Sequence, residues 1–324
     1  MGNHIIFIHG RKPKPKESIL RDFWYEAIRH GLHEDHGSDV VNAFNDAEKS
    51  FVYYGDLSLK TLAEDYLDNP NDENEHERLL ADLATEREKT LKELQDRKRD
   101  SFDEDTYEAM CEPRETFLSL RTAVVSVLID GAHIAHANEA PVQLIGWRRE
   151  DLDLFWDRSA EFGKEVRNLF KETLAKAMSD DDRVLVISHS LGTMVAYDCF
   201  WWFSWIPGRS TRPNGVVDTW VTLGSPLGAE FVQNKLFGAD ERGPRRYPSN
   251  VRKWFNFAAE DDYIASDEDV RNDFRRMKSY HGTKIRDKEI YSLAKRGGKS
   301  NPHAALGYLI HPDVSATIAD WLRA

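Results

Sequence analysis

Ser190 is the residue of this chain best placed for nucleophilic chemistry. It stands in the run Val184-Leu185-Val186-Ile187-Ser188-His189-Ser190-Leu191-Gly192. The four leading apolar residues predict a short buried strand, the small residues a sharp turn, and Thr193-Met194-Val195-Ala196-Tyr197 a helix. Residues 188–192 fit the pattern G-x-S-x-G with serine in place of the first glycine. Tiny neighbours are needed there because the turn presses strand and helix together, and Ser188 is expected to face that turn. A serine hydroxyl attacks a carbonyl only when an imidazole takes its proton, and the imidazole needs a carboxylate to hold its tautomer. Two segments offer these groups. Arg252-Lys253-Trp254-Phe255-Asn256-Phe257-Ala258-Ala259 predicts a strand closed by Glu260-Asp261-Asp262, and Asn301-Pro302-His303 predicts a loop before a helix, with His311 a few residues on. An ordinary strand-to-helix turn that happens to contain serines is the alternative reading of residues 188–192 alone.

Other elements must carry these residues. Ile5-Ile6-Phe7-Ile8 predicts a buried strand ending in His9-Gly10-Arg11, where glycine lets the backbone approach a substrate oxygen. Lys12 to Lys16, rich in lysine and proline, reads as a loop over the site. A helix is expected from Ser18 as N-cap to about residue 30, with Leu20, Phe23, Trp24, Ala27 and Ile28 on one face. Phe51-Val52-Tyr53-Tyr54 reads as a strand ended by Gly55-Asp56. Residues 69–108 are charged with sparse leucines (Leu79, Leu80, Leu83, Leu91, Leu94), predicting one or two exposed helices without a sustained heptad. Residues 117–137 predict a strongly apolar helix, and residues 155–178 a helix leading into the strand before Ser190. The aromatic run at 200–205 is assigned to core packing, with an acyl pocket or a membrane surface as the alternative. A final amphipathic helix runs through Trp321.

With these motifs on the page, the chain resembles a lipase- or esterase-type member of the α/β-hydrolase superfamily. The resemblance is carried by His9-Gly10, Ser188-His189-Ser190-Leu191-Gly192, Leu223-Gly224-Ser225-Pro226-Leu227, Asp262-Tyr263-Ile264-Ala265 and His303, and it does not cover residues 56 to 145. It implies a mostly parallel central sheet flanked by helices, formed by residues 1–55 and 146–324, with a largely helical insertion at 56–145. A cap over the site and an exposed arm away from it are both open for that insertion. It further implies the order nucleophile, acid, base: Ser190, then Asp262 (Asp261 as understudy), then His303 in preference to His311. The backbone N–H groups of Arg11 and Leu191 would form the oxyanion hole. The implied activity is hydrolysis of a small-molecule or lipid acyl ester through an acyl-enzyme. An acyltransferase, a thioesterase or a non-catalytic relative with the same core remains open.

Composition fits such a protein. With 324 residues the chain can form one α/β domain with an insertion. A formal charge of −12 argues against nucleic acid or an anionic membrane as default partner. The two cysteines, Cys111 and Cys199, predict no disulfide framework, and Cys199 reads as an inert core thiol. No cofactor or metal is expected: the twelve histidines show no HExxH-like spacing, and His133, His136 and His281 read as surface or loop residues. A strand beginning at Ile5 leaves no room for a secretory leader, and no apolar run is long enough to span a bilayer. We therefore expect a cytoplasmic enzyme, with peripheral membrane contact and oligomeric state left open.

Overall fold

The computed structural model describes residues 2–111, 155–157, 160–179, 182–206, 215–265 and 269–324. The helix expected at 117–137, His133 and His136 lie outside the described residues. Six strands, β1 (Asn3–Ile8), β2 (Glu48–Val52), β3 (Arg183–His189), β4 (Val217–Leu223), β5 (Val251–Ala259) and β6 (Lys284–Ile290), form one sheet in the order β2-β1-β3-β4-β5-β6. Every neighbouring pair is parallel. The described helices are α1 (Glu17–His36), α2 (Ser38–Asp46), α3 (Gly55–Tyr66), α4 (Glu73–Gln95), α5 (Glu104–Met110), α6 (Glu161–Ser179) and α7 (Leu191–Trp205). They continue with α8 (Glu230–Gln233), α9 (Val270–Asp273), α10 (Arg275–His281), α11 (Ala305–Leu309) and α12 (Pro312–Arg323). A small hairpin, β7 (Lys295–Arg296) and β8 (Lys299–Ser300), precedes α11. None of the described helices is long and apolar enough to cross a membrane.

Both faces of a parallel sheet are covered, so its strands are apolar at consecutive positions and their side chains divide between two cores. Ile6, Ile8, Val184, Val186, Trp220 and Trp254 face a core with α6 and α7. Ile5, Phe7, Leu185, Ile187, Val221 and Phe257 face the other, built from α1, α11 and α12. Leu91 and Leu94 of α4 and Tyr107 of α5 are buried in that second core, so the charged region past residue 69 is anchored to the sheet's flank. The aromatic run packs inward: Phe200 and Phe203 are buried, and the indoles of Trp201 and Trp205 donate to the carbonyls of Arg245 and Tyr247.

Three boundaries differ from expectation. α1 begins at Glu17 with Lys16 as its cap and runs to His36, so Ser18 lies inside the helix instead of capping it. β2 begins at Glu48 and ends at Val52, because the Tyr54 backbone N–H turns to the His9 ring and leaves the ladder. The helix before β3 begins at Glu161, not near 155.

A buried ion pair adds to the apolar contact between α6 and α7. Arg167 donates to Asp198 at 2.9 Å and to the carbonyls of Phe155 and Gly163 at 3.1 and 3.0 Å, and Asp198 also accepts the Phe237 N–H at 2.8 Å. Both charges are buried. Removing one partner of such a pair strands the other, so Arg167→Ala is expected to lower the unfolding free energy by about 3 kcal/mol in urea titrations.

Candidate active site

In open α/β sheets, ligands sit outside the carboxyl ends of the strands where the strand order reverses direction. Here that point lies between β1 and β3, since the chain leaves β1 for β2 on one side and later returns to β3 on the other. β1 delivers His9-Gly10 to it and β3 delivers Ser190.

Ser190 has φ 54° and ψ −126°, a conformation that L-residues avoid. Its N–H donates to the Leu223 carbonyl at 3.0 Å, and its carbonyl accepts the Thr193 N–H at 2.9 Å and hydroxyl at 2.7 Å. The serine is thereby lifted out of β3 as α7 begins with Leu191. Close approach on both sides depends on glycine. A Cβ on Gly192 would lie 2.7 Å from the His9 carbonyl oxygen, and one on Gly10 would lie 2.7 Å from the Ser190 Cβ. Leu191, at the first position of α7, and Arg11, directly after Gly10, thus flank the serine from two segments.

The Ser190 Oγ lies 3.0 Å from His303 Nε2, and His303 Nδ1 lies 2.9 Å from both Asp262 oxygens. Asp262 follows β5, and its carboxylate is fully buried while the imidazole retains 27% exposure. Two further donors hold the carboxylate. Tyr308 of α11 donates to Asp262 at 2.6 Å while accepting the Ala259 N–H at 2.8 Å, and the Ile264 N–H donates to the carboxylate at 3.0 Å. Burial alone would raise the Asp262 pKa. The His303 ring, the Tyr308 hydroxyl and the Ile264 N–H outweigh it and hold the carboxyl below its ordinary value of 3.8. Gly224, at φ +55°, lies under this contact: a Cβ there would come 2.8 Å from Asp262 Oδ2 and 3.0 Å from His303 Nδ1.

Two more histidines brace the site in neutral form. His9 accepts the Tyr54 N–H at Nε2 (3.0 Å), so its Nδ1 carries the proton donated to the Gly10 carbonyl at 2.6 Å. Its ring stacks on Tyr54 with centroids 4.0 Å apart, and the Tyr54 hydroxyl donates to its carbonyl. His189 donates from Nε2 to the His303 carbonyl at 2.9 Å, its ring 4.7 Å from the His303 ring. Burial, helped by nearby cations, keeps both imidazoles well below the usual histidine pKa.

Asp261 and His311 are not part of this chain of contacts. Asp261 turns away at φ 59° and accepts the Tyr107 hydroxyl at 3.1 Å, while His311 caps α12 by accepting the Asp313 N–H. Ser188 does not face the turn as expected. Its side chain lies on the α6–α7 side of the sheet, because β3 side chains alternate, and it accepts the Trp220 indole N–H at 2.8 Å. Sequence reasoning assigned no role to Tyr308, Gly224 or His189. Only Gly224 carried a local signal, its place in a Gly-Ser-Pro turn after a strand. Away from the site, at the amino end of the sheet, ligand atoms of His4, Glu48 and Asp182 lie within 4.8 Å of one another. Glu48 there pairs with Lys176 through one oxygen, and Asp182 accepts the Gly2 N–H. No family model, curated protein or solved structure matches the chain.

Two outcomes are expected from the Asp262 surroundings. Tyr308→Phe leaves the Ala259 N–H without its acceptor and should cost about 1–3 kcal/mol of stability, read by urea denaturation. Because the folded state holds Asp262 below its unfolded value, the stability it contributes is complete above about pH 4. It is lost as pH falls through the lower folded value. Asp262→Asn should therefore flatten the decline of unfolding free energy below about pH 4.

Proposed function

We propose that the protein is a serine hydrolase of the α/β-hydrolase type that cleaves a carboxylic ester of a small molecule or lipid through an acyl-enzyme. The observation that carries this reading is the continuous path from the Ser190 hydroxyl through His303 to buried Asp262, set on a strained turn at the switch point of the sheet. Structural ion pairs rarely include a hydroxyl held by strained backbone at the one place where α/β sheets bind ligands.

In the reaction, neutral His303 accepts the Ser190 proton at Nε2 as Oγ attacks the ester carbonyl. Asp262 stays ionised, fixes the Nδ1–H tautomer and stabilises the imidazolium. The oxyanion is met by the Leu191 N–H, reinforced by the positive end of α7, and by the Arg11 N–H. His303 then protonates the leaving alcohol. Water enters over the exposed edge of the imidazole, gives its proton to Nε2 and releases the acid from Ser190. The neutral state of His9 and His189 suits this cycle, since a second permanent imidazolium would oppose protonation of His303.

Hydrolysis of 4-nitrophenyl esters of graded acyl length tests the reading. Ser190→Ala and His303→Ala should lower kcat by roughly 10³-fold or more, and Asp262→Asn by up to about 10⁴-fold. Asp261→Asn should stay within about threefold of the unaltered protein, because its carboxylate bonds Tyr107 and not the imidazole. Unchanged turnover in Ser190→Ala would sink the proposal.

A further inference from the structure

Tyr107 stands on α5, inside the stretch that the resemblance leaves uncovered, yet its hydroxyl reaches the turn that carries Asp262. β5 leaves the sheet through a four-residue reverse turn, Ala259 to Asp262, closed by the Asp262 N–H on the Ala259 carbonyl at 3.0 Å. Asp261, the third residue of that turn, stands at φ 59°. Glycine or asparagine is usual at such a position. Aspartate is tolerated there when its short polar side chain finds a hydrogen bond.

Tyr107 supplies one. Its hydroxyl donates to the Asp261 carboxylate at 3.1 Å, with the Glu260 carbonyl 3.4 Å from the same oxygen. The tyrosine is itself fixed: it is buried in the second core, and its ring packs against Tyr291 with centroids 6.0 Å apart. Ile290, the neighbour of Tyr291, accepts the Glu260 N–H at 2.9 Å. Two tyrosines from different helices therefore divide the turn between them. Tyr107 holds its middle, Glu260 and Asp261. Tyr308 holds its ends, through the Ala259 N–H and the Asp262 carboxylate.

Peptide planes are rigid, so the torsions at Asp261 and Asp262 decide where the Asp262 carboxylate points. That carboxylate meets His303 Nδ1 at 2.9 Å through both oxygens. Misplacing a group in such a chain by about 1 Å can cost up to about 10²-fold in rate. Docking of α5 on the domain explains why the Tyr107 ring is buried. It does not explain why the hydroxyl is aimed at the one residue of the turn with positive φ.

We propose that Tyr107 is a positioning residue: by holding Asp261 it sets the direction in which Asp262 meets His303, and so makes α5 part of the support of the catalytic centre. The effect on turnover rests on the hydrolase reading; the effect on the Asp262–His303 contact does not.

The test compares full-length Tyr107→Phe, Asp261→Gly, Asp261→Asn and the double variant Tyr107→Phe/Asp261→Gly. Glycine keeps the positive φ and removes the acceptor, whereas asparagine keeps both. Two readouts are taken. The first is the far-downfield proton NMR resonance of the Nδ1–H held between His303 and Asp262, assigned by its loss in His303→Ala. The second is kcat and KM for 4-nitrophenyl acetate. Tyr107→Phe and Asp261→Gly should each shift or broaden the resonance and lower kcat about tenfold, with KM within about twofold. The double variant should be no worse than either single one, because both remove the same contact. Asp261→Asn should keep the resonance in place. A resonance absent from the unaltered protein, unmoved in Tyr107→Phe while only the urea midpoint falls, or losses that add in the double variant would overturn the assignment. Should Tyr107→Phe fail to fold, Asp261→Gly decides by the same criteria. If the ester is cleaved and kcat is unchanged in these variants, the positioning role falls and the hydrolase reading stands. If no ester is cleaved but the resonance moves as expected, the hydrolase reading falls and the positioning role stands.

Discussion

The turn at Ser190 is the constraint from which the rest of the molecule follows. A residue held at φ 54° and ψ −126° costs on the order of 1–3 kcal/mol and persists only where its surroundings over-determine it. Here β4 holds it through the Leu223 carbonyl, α7 through Thr193, and β1 by lying so close that Gly10 and Gly192 have no room for side chains. This requires β3 to lie between β1 and β4, which is the sheet order observed. It also requires α7 to be anchored behind the turn, and the Arg167–Asp198 pair supplies that anchor.

Around the turn, buried polar groups are paired with one another, and one imidazole keeps an exposed edge. Tyr308 joins the end of β5 to Asp262 with one hydroxyl, accepting from Ala259 and donating to the carboxylate. His189 holds the backbone of the loop that carries His303, while His9 locks the segment leading to Gly10. Both are kept neutral by burial and by nearby cations. His303 alone has both a carboxylate behind it and solvent before it. The environment thus separates the three histidines brought together around Ser190: His9 and His189 are buried and hydrogen-bonded in neutral form, and His303 keeps an exposed edge.

Much of this was legible in the chain because the relevant signals are local. A β-branched run breaking at Ser-His-Ser and resuming as a helix marks β3 and α7. A strand closed by Glu260-Asp261-Asp262 and an Asn-Pro loop before a helix mark where the acid and His303 stand, the resemblance choosing Asp262. The two residues are the ones the structure joins to Ser190, with Asp261 and His311 turned elsewhere. What was not legible depends on alternation and long-range register. Ser188 looked like a turn residue, yet its register opposite Thr222 sends its side chain beneath Trp220. Tyr308 sits in an apolar stretch that gives no hint of a hydroxyl facing a carboxylate from 46 residues earlier. The end of β2 was misplaced because the Tyr54 N–H is claimed by a histidine from another strand, a contact no local pattern encodes.

The central claim is that Ser190 becomes covalently acylated because His303 activates it. Intact-protein mass spectrometry after brief exposure to a fluorophosphonate, followed by peptide mapping, measures this without knowledge of the natural ester. A single phosphonyl adduct on the peptide carrying Ser190, absent in Ser190→Ala and strongly slowed in His303→Ala, is the expected result. An adduct mapped to another serine, or labelling of Ser190 at the same rate when His303 is alanine, would contradict the account.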